Sequence, residues 1–166
     1  MPLRLIEATG DQACVLSRLQ QLYLHDLSEF SGIEPAGDGN FDAPSVFESD
    51  QLESHLIFLR GKPAGFLSYR CRTEDAQNAS YVLEHFFILR CYRRLGIGEE
   101  VARILFDQVH GDWEVHVDTT NEAATSFVRQ VLRRYTFRRF RELNSSDASM
   151  RIFEFESQWT EAASDE

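Results

Sequence analysis

Tyr81-Val-Leu-Glu-His-Phe-Phe-Ile-Leu89 runs, after Arg90-Cys-Tyr92, into Arg93-Arg-Leu-Gly-Ile-Gly98 and then Glu99-Glu-Val-Ala-Arg-Ile-Leu-Phe106. The first run is almost continuously apolar, as a strand covered on both faces is. The last places Val101, Ile104, Leu105 and Val109 at helical spacing, a buried stripe on a helix from Ile97 to about Val109. Two glycines make a tight turn between them. The order strand, turn, helix matters because the first turn of a helix carries amide N–H groups with no intrahelical acceptor. Where glycine strips away side chains, those groups can close on a phosphate. The stretch therefore points to a ligand that carries a diphosphate.

Single positions separate the known phosphate loops. A dinucleotide fold wants a third small residue three positions after the second glycine, and Val101 stands there. A nucleoside-triphosphate loop closes on Gly-Lys-Ser/Thr, whereas Glu99 and Glu100 follow Gly98. What remains, Arg-x-x-Gly-x-Gly after an apolar strand, resembles the pyrophosphate signature of the GNAT superfamily of acyl-CoA-dependent N-acyltransferases. Trp113-Glu-Val-His-Val-Asp118 reads as the next strand, and Asn121-Glu-Ala-Ala124-Thr-Ser-Phe127 matches the Asn-x-x-Ala-x-x-Phe that opens the family's following helix. The order of elements agrees from near residue 3 to near residue 156. Leu22-Tyr-Leu-His-Asp-Leu-Ser-Glu-Phe30, Glu84-His-Phe-Phe87 and Gly111-Asp-Trp113 further resemble a little-described bacterial subgroup of predicted acetyltransferases.

The resemblance implies an α/β (α+β) fold, a mixed and mostly antiparallel sheet flanked by helices on both faces. It implies acetyl-CoA as donor and direct transfer to a primary amine, without a covalent enzyme intermediate. The end of the central strand, around Ile88, Leu89 and Arg90, would splay from its neighbour and pair its backbone with the pantetheine arm. Asn121 would reach that arm from the other side, or cap its helix. Two departures bear on mechanism. Many members have an aromatic, often Tyr, after the Phe of the second motif, and it protonates the leaving thiolate; here Val128 follows Phe127. The usual Gly-Phe after that helix is replaced by Arg133-Arg-Tyr-Thr-Phe137.

Elsewhere local patterns set the elements. Leu3 to Ala8 makes a short first strand, and Asp11 is placed to cap a helix that runs to about Phe30 on Val15, Leu16, Leu19, Leu22, Tyr23 and Leu27. Ser31 to Pro44, with Gly-Asp-Gly-Asn, is an exposed loop, either a substrate lid or a connector. Residues 46 to 53 form a short helix. His55 to Leu59 and Ala64 to Cys71 flank Arg60-Gly-Lys-Pro63 as a hairpin. Glu74 to Ser80 is a polar loop. Phe137 to Leu143 and Met150 to Phe155 alternate apolar and polar as a closing hairpin around Asn144 to Ser149. The chain reads as one domain over residues 1–156, with an acidic tail, 157–166, that frays.

Composition narrows the function. The 166 residues are 43% hydrophobic, enough for one good core. Cys14, Cys71 and Cys91 lack the spacing of a disulfide framework or a zinc site, so no metal is expected. No apolar run of membrane-spanning length occurs and Glu7 is acidic where a leader would be basic, which suggests a soluble cytoplasmic protein with no membrane partner. A net charge of −10 argues against nucleic acid and would attract a cationic amine, or simply confer solubility. A small-molecule amine acceptor is the leading partner, and a homodimer is possible.

Acyl transfer from a thioester to an amine needs a grip on the donor, a neutral nucleophile and stabilisation of charge at the carbonyl and the departing sulfur. For the grip, backbone N–H groups of Leu95, Gly96, Ile97 and Gly98 should surround the diphosphate, with Arg93 or Arg94 adding a charge-assisted contact. For the base, Glu84 sits in the apolar strand leading to the turn, where partial burial would raise its pKa; a salt-bridged carboxylate is the alternative. Strict alternation lets at most one of Glu84 and His85 face the cleft. His116 and Asp118 share a face of the next strand and stand second. For the acid, Tyr135 lies two helical turns beyond Val128; a plain packed Tyr, with solvent protonating the thiolate, is the alternative. Arg129, Arg133, Arg134, Arg138, Arg139 and Arg141 could hold the adenosine-side phosphate or balance local acids. Tyr23, Asp26 and Glu29 could line an acceptor pocket. Two rivals remain: a CoA-binding sensor that lost turnover, and a protein or peptide N-acetyltransferase, which an open groove would favour.

Overall fold

The computed structural model describes residues 3–42, 51–73 and 79–157. The strands are β1 (Leu3–Glu7), β2 (Leu52–Leu59), β3 (Lys62–Thr73), β4 (Ser80–Ile88), β5 (Gly111–Asp118), β6 (Phe140–Asn144) and β7 (Met150–Ser157). The helices are α1 (Ala13–Ser31), α2 (Ile97–Gln108) and α3 (Glu122–Tyr135), with single 3-10 turns at Gly10–Gln12 and Arg90–Tyr92. The strands form one sheet in the order β1-β2-β3-β4-β5-β7-β6. Every pairing is antiparallel except β4 with β5.

Alternation along the strands supplies two cores. Ile57, Leu67, Leu83, Trp113, Val115, Phe153 and Phe155 point to one face, where α2 brings Val101, Leu105 and Phe106 and α3 brings Val131 and Leu132. Leu56, Phe66 and Phe87 point to the other and meet Leu19 of α1. Helices therefore cover both faces, as the resemblance implies. No helix among the described residues is long and apolar enough to cross a membrane.

Several boundaries move. Asp11 does not cap α1: it lies inside the 3-10 turn, and Gln12 takes the cap position with no side-chain hydrogen bond. The helix ends at Gly32, whose φ of 67° is a left-handed stop that glycine adopts cheaply. The loop beyond is held against α1, because the Gln21 amide donates to Phe41 O at 3.1 Å and Phe41 N–H donates back at 2.8 Å. Of the short helix expected over 46–53, residues 46–50 lie outside the described residues, and Leu52 and Glu53 instead begin β2. The polar loop expected from Glu74 lies outside them through residue 78, and Ser80 already belongs to β4. The first residue of the expected tail is not frayed: Ser157 is buried in β7 and its hydroxyl donates to Val109 O at 3.0 Å. Residues 158–166 lie outside the described residues.

The closing hairpin starts at Phe140, not Phe137. Phe137 and Arg138 take φ values of 51° and 69°, so the missing glycine after α3 is replaced by two side-chain-bearing residues in a left-handed turn. Each costs about 1–2 kcal/mol against an extended conformation.

Two buried or bridged groups give the fold an acid-sensitive component. Burial, only partly offset by Glu84, pushes His85 from 6.5 down to about 4. Hydrogen bonds from Arg129, then Arg151, outweigh burial and pull Glu142 from 4.5 to about 2. Both pKa values are depressed by folding, so the unfolded chain takes up protons first as the pH falls. Stability should be full above pH 6.5, fall between 6.5 and about 4 through His85, and fall further between 4.5 and about 2 through Glu142. Urea midpoints at pH 7, 5 and 3 test this, and Glu142→Gln should flatten only the lower part of the decline.

Candidate active site

The opening in the sheet follows from one extra residue. β3 pairs Ser68 with His85 but Tyr69 with Leu83, so Glu84 has no partner of its own and forms a bulge on β4. At the same level the parallel ladder between β4 and β5 stops, its last pair being Leu83 with Val115. From Glu84 onward β4 parts from β5, several residues before the Ile88 to Arg90 segment where the splay was expected. Bulge and fork coincide, so Glu84 stands at the apex of a V-shaped gap.

The bulge also cancels strict alternation. His85 packs against Tyr23 of α1, ring centroids 5.6 Å apart, and Glu84 makes an ion pair with Arg70, whose neighbours on β3 alternate with the same face. Glu84 also acts electrostatically on both Tyr23 and His85. Both Glu84 and His85 thus belong to the α1 side, although alternation allowed only one. Glu84 is partly buried, as expected, but it takes the salt-bridged alternative: its carboxylate is about one-third exposed and paired with Arg70. His85, with a pKa near 4, is neutral at ordinary pH and a poor base. Burial, then the Glu84 charge, pushes Tyr23 up to about 12.

Across the apex, His116 on β5 follows Val115. Its Nε2 lies 2.8 Å from Glu114 Oε2, and Arg72 donates to the other Glu114 oxygen at 2.6 Å. A carboxylate held by an arginine therefore orients the imidazole. Asp118, its companion in sequence, accepts from the Thr120 N–H and hydroxyl and closes the turn into α3.

Backbone direction defines what lines the gap. Leu89 N–H donates to Ala64 O of β3 at 2.8 Å, so Leu89 still belongs to the β3 ladder. One residue earlier in an extended strand the peptide groups point the other way, so the Ile88 carbonyl faces the gap, and so do the polar groups of Phe86. Of the expected pair, Ile88 turns its carbonyl into the gap and Leu89 pairs with β3. Phe86 was missed, because only the β3–β4 register reveals its direction. Arg93 Nε donates to Ile88 O at 2.7 Å, and its guanidinium lies 5.6 Å from the Phe87 ring centroid.

At the end of the gap comes the glycine turn. Arg94 and Gly96 have φ values of 62° and 77°, and Gly96 caps α2 in the left-handed conformation. Arg93 and Arg94 form a turn that directs the Leu95 N–H back toward the preceding carbonyls, whereas the N–H groups of Gly96, Ile97 and Gly98 donate to no acceptor among the described residues and Glu100 N–H begins the helical ladder on Gly96 O. The two glycines differ in purpose. A side chain on Gly96 would meet no atom within 4 Å, so its backbone angle is the constraint. A Cβ on Gly98 would lie 3.0 Å from the Phe127 ring, so that glycine admits the ring between α2 and α3.

The remaining candidates divide. Asn121 caps α3, accepting from Ala124 N–H at 3.0 Å through its Oδ1, which leaves its amide nitrogen as the group that could reach a ligand. Arg90 and Arg93 both bind the Asp26 carboxylate of α1. Tyr135 is not brought to the gap. Its ring packs on Phe106 and Phe155 and its hydroxyl is buried near Asp107, at the far end of α2 from the glycine turn, about 14 Å away by helix rise. Burial, then Asp107, raises its pKa, which suits a packed core tyrosine. In the arginine cluster, Arg129 binds Glu142, Arg134 binds Glu99 and Arg141 binds Glu154, so these three balance local acids.

The model of the acetyltransferase (GNAT) family matches residues 16–132. Among solved structures, an acetyltransferase from Thermus thermophilus is 18% identical with a TM-score of 0.65, over 94% of this chain and 97% of that one. The ribosomal-protein-S18-alanine N-acetyltransferase from Escherichia coli is 14% identical with a TM-score of 0.57, over 97% of both chains. An aminoglycoside acetyltransferase from an uncultured soil metagenomic sample is 17% identical with a TM-score of 0.53, over 76% of this chain and 88% of that one. These likenesses concern the fold. No curated protein sequence matches the chain.

Proposed function

Because the chain belongs to the GNAT family of acetyltransferases, and so uses acetyl-CoA as acyl donor, we propose that it acetylates a primary amine directly, with Glu84 as general base. The observation that carries this reading is the coincidence of the Glu84 bulge with the point where β4 leaves β5. A donor whose diphosphate rests on the N–H groups of residues 96–98 would lay its pantetheine arm along Ile88 and Phe86. The thioester would then fall near the apex, since the strand from 84 to 90 spans about 20 Å. The Ile88 carbonyl and the Asn121 amide nitrogen suit the arm's amides.

An amine is mostly protonated at neutral pH and must shed a proton before attack. Glu84 accepts it, directly or through water, while Arg70 orients the carboxylate. As the carbon–sulfur bond breaks, the thiolate takes up a proton. With Val128 in place of an aromatic and Tyr135 in the core, His116, oriented by Glu114 on the β5 side of the fork, is the protein group assigned that role. Solvent serves the same end if His116 does not.

A small-molecule amine remains the first choice of acceptor, and the acidic surface would attract it in the cytoplasm. A peptide amine is the second reading, favoured by one feature. Glu114, which orients His116, also lines an open cleft of about 630 Å³ with Arg72, Tyr81, Asp112, Arg139 and Glu154. Open, mixed-charge walls suit an extended chain. A thiol-release screen over polyamines, amino acids, aminoglycosides and peptides beginning with a free amine separates the two. Turnover with a small amine is the expected result. Peptide turnover alone would move the assignment to the second reading, and tight acetyl-CoA binding with no turnover would favour a sensor.

A further inference from the structure

Asp26 is an acidic residue on α1, the helix expected to bound the acceptor side, yet its side chain is only 18% exposed and pairs with two arginines of the segment leading into the glycine turn. Its Oδ1 accepts from Arg90 Nε at 3.1 Å, and its Oδ2 accepts from Arg93. Burial pushes this carboxyl up, but the two arginines outweigh it and hold it below the ordinary carboxylate range. Arg93 continues the chain of contacts to Ile88 O, the carbonyl that faces the gap. One turn earlier on α1, Tyr23 packs on Phe66, His85 and Phe87. The same helix face therefore touches the strand that carries Glu84 and the segment that begins the glycine turn.

We propose that Asp26 is a positioning residue for donor binding, acting through Arg93 to fix the Ile88 carbonyl and the start of the glycine turn against α1. The inference rests on acetyl-CoA lying in the gap and on the turn. Without Asp26, Arg93 keeps only a neutral acceptor and an aromatic face, and the segment from Arg90 to Leu95 loses its tie to α1. Arg90, more exposed, contributes charge to the same carboxylate.

Calorimetric titration of acetyl-CoA into the wild type, Asp26→Asn, Arg93→Gln and the double variant tests it. Each single change should weaken binding about tenfold, the loss of a charge-assisted contact. The double variant should be no weaker than the weaker single one, because both changes cut the same link. Asp26→Glu should recover part of the affinity. Thermal midpoints taken alongside distinguish lost positioning from lost folding, since the affinity change should persist well below the midpoint. Unchanged affinity in Asp26→Asn, or losses that multiply in the double variant, would overturn the proposal while leaving the donor site intact. Absence of acetyl-CoA binding by the wild type would instead overturn the donor reading, and this inference with it.

Discussion

Gly96→Val should weaken acetyl-CoA binding by about 10- to 100-fold, the range expected when a position at φ 77° must relieve 1–3 kcal/mol of strain. No neighbouring atom blocks the new side chain, so the fold has no packing reason to fail. The exposed turn relaxes toward negative φ, and in doing so it re-aims the N–H groups of Gly96 to Gly98 away from a common centre. Calorimetry with acetyl-CoA reads the loss directly. An unchanged dissociation constant would mean that these donors do not hold the diphosphate. Gly98 makes a poorer probe. Gly98→Trp should also reduce binding, but by driving Phe127 and Phe86 apart, so its effect reports helix packing as much as phosphate contact. Gly98→Ala asks the Phe127 ring to shift by only a few tenths of an ångström.

Glu84→Gln should lower kcat by about 100- to 1,000-fold, the usual worth of a positioned general base, and leave KM for acetyl-CoA within about twofold. The amide keeps the shape of the bulge and a hydrogen bond to Arg70, so the change removes proton acceptance and little else. Steady-state rates measured across pH should give a profile that differs in shape from the wild type's. A profile identical to the wild type's would transfer the role to water or to the His116 dyad. His116→Gln, measured beside it, should act on the departure of the thiolate, so an acyl donor with a more acidic thiol should restore part of its rate.

Much of the donor site was legible because its signals are local. The apolar run of β4, Gly96 in a left-handed cap and the stripe of α2 are properties of a few adjacent residues, and each element lies within a residue or two of its expected place. The catalytic side was less legible. Tyr135 shares a helical face with Val128 in sequence, yet α3 runs beside α2 and carries that tyrosine into contact with Phe106. Asp26 reads as a residue of the acceptor helix, yet two arginines more than sixty positions later claim it.

By itself the sequence determined the apolar central strand, the glycine turn and the helix after it, because hydrophobic period and turn chemistry act over a few residues, while the mixed sheet was implied by the family resemblance. Only the tertiary structure decided that Glu84 stands at the fork, that Ile88 and Phe86 rather than Leu89 face the gap, and that Arg93 answers to Asp26. Those outcomes depend on which strand pairs with which, and a single unpaired residue on β4 turns every later peptide group to the opposite side.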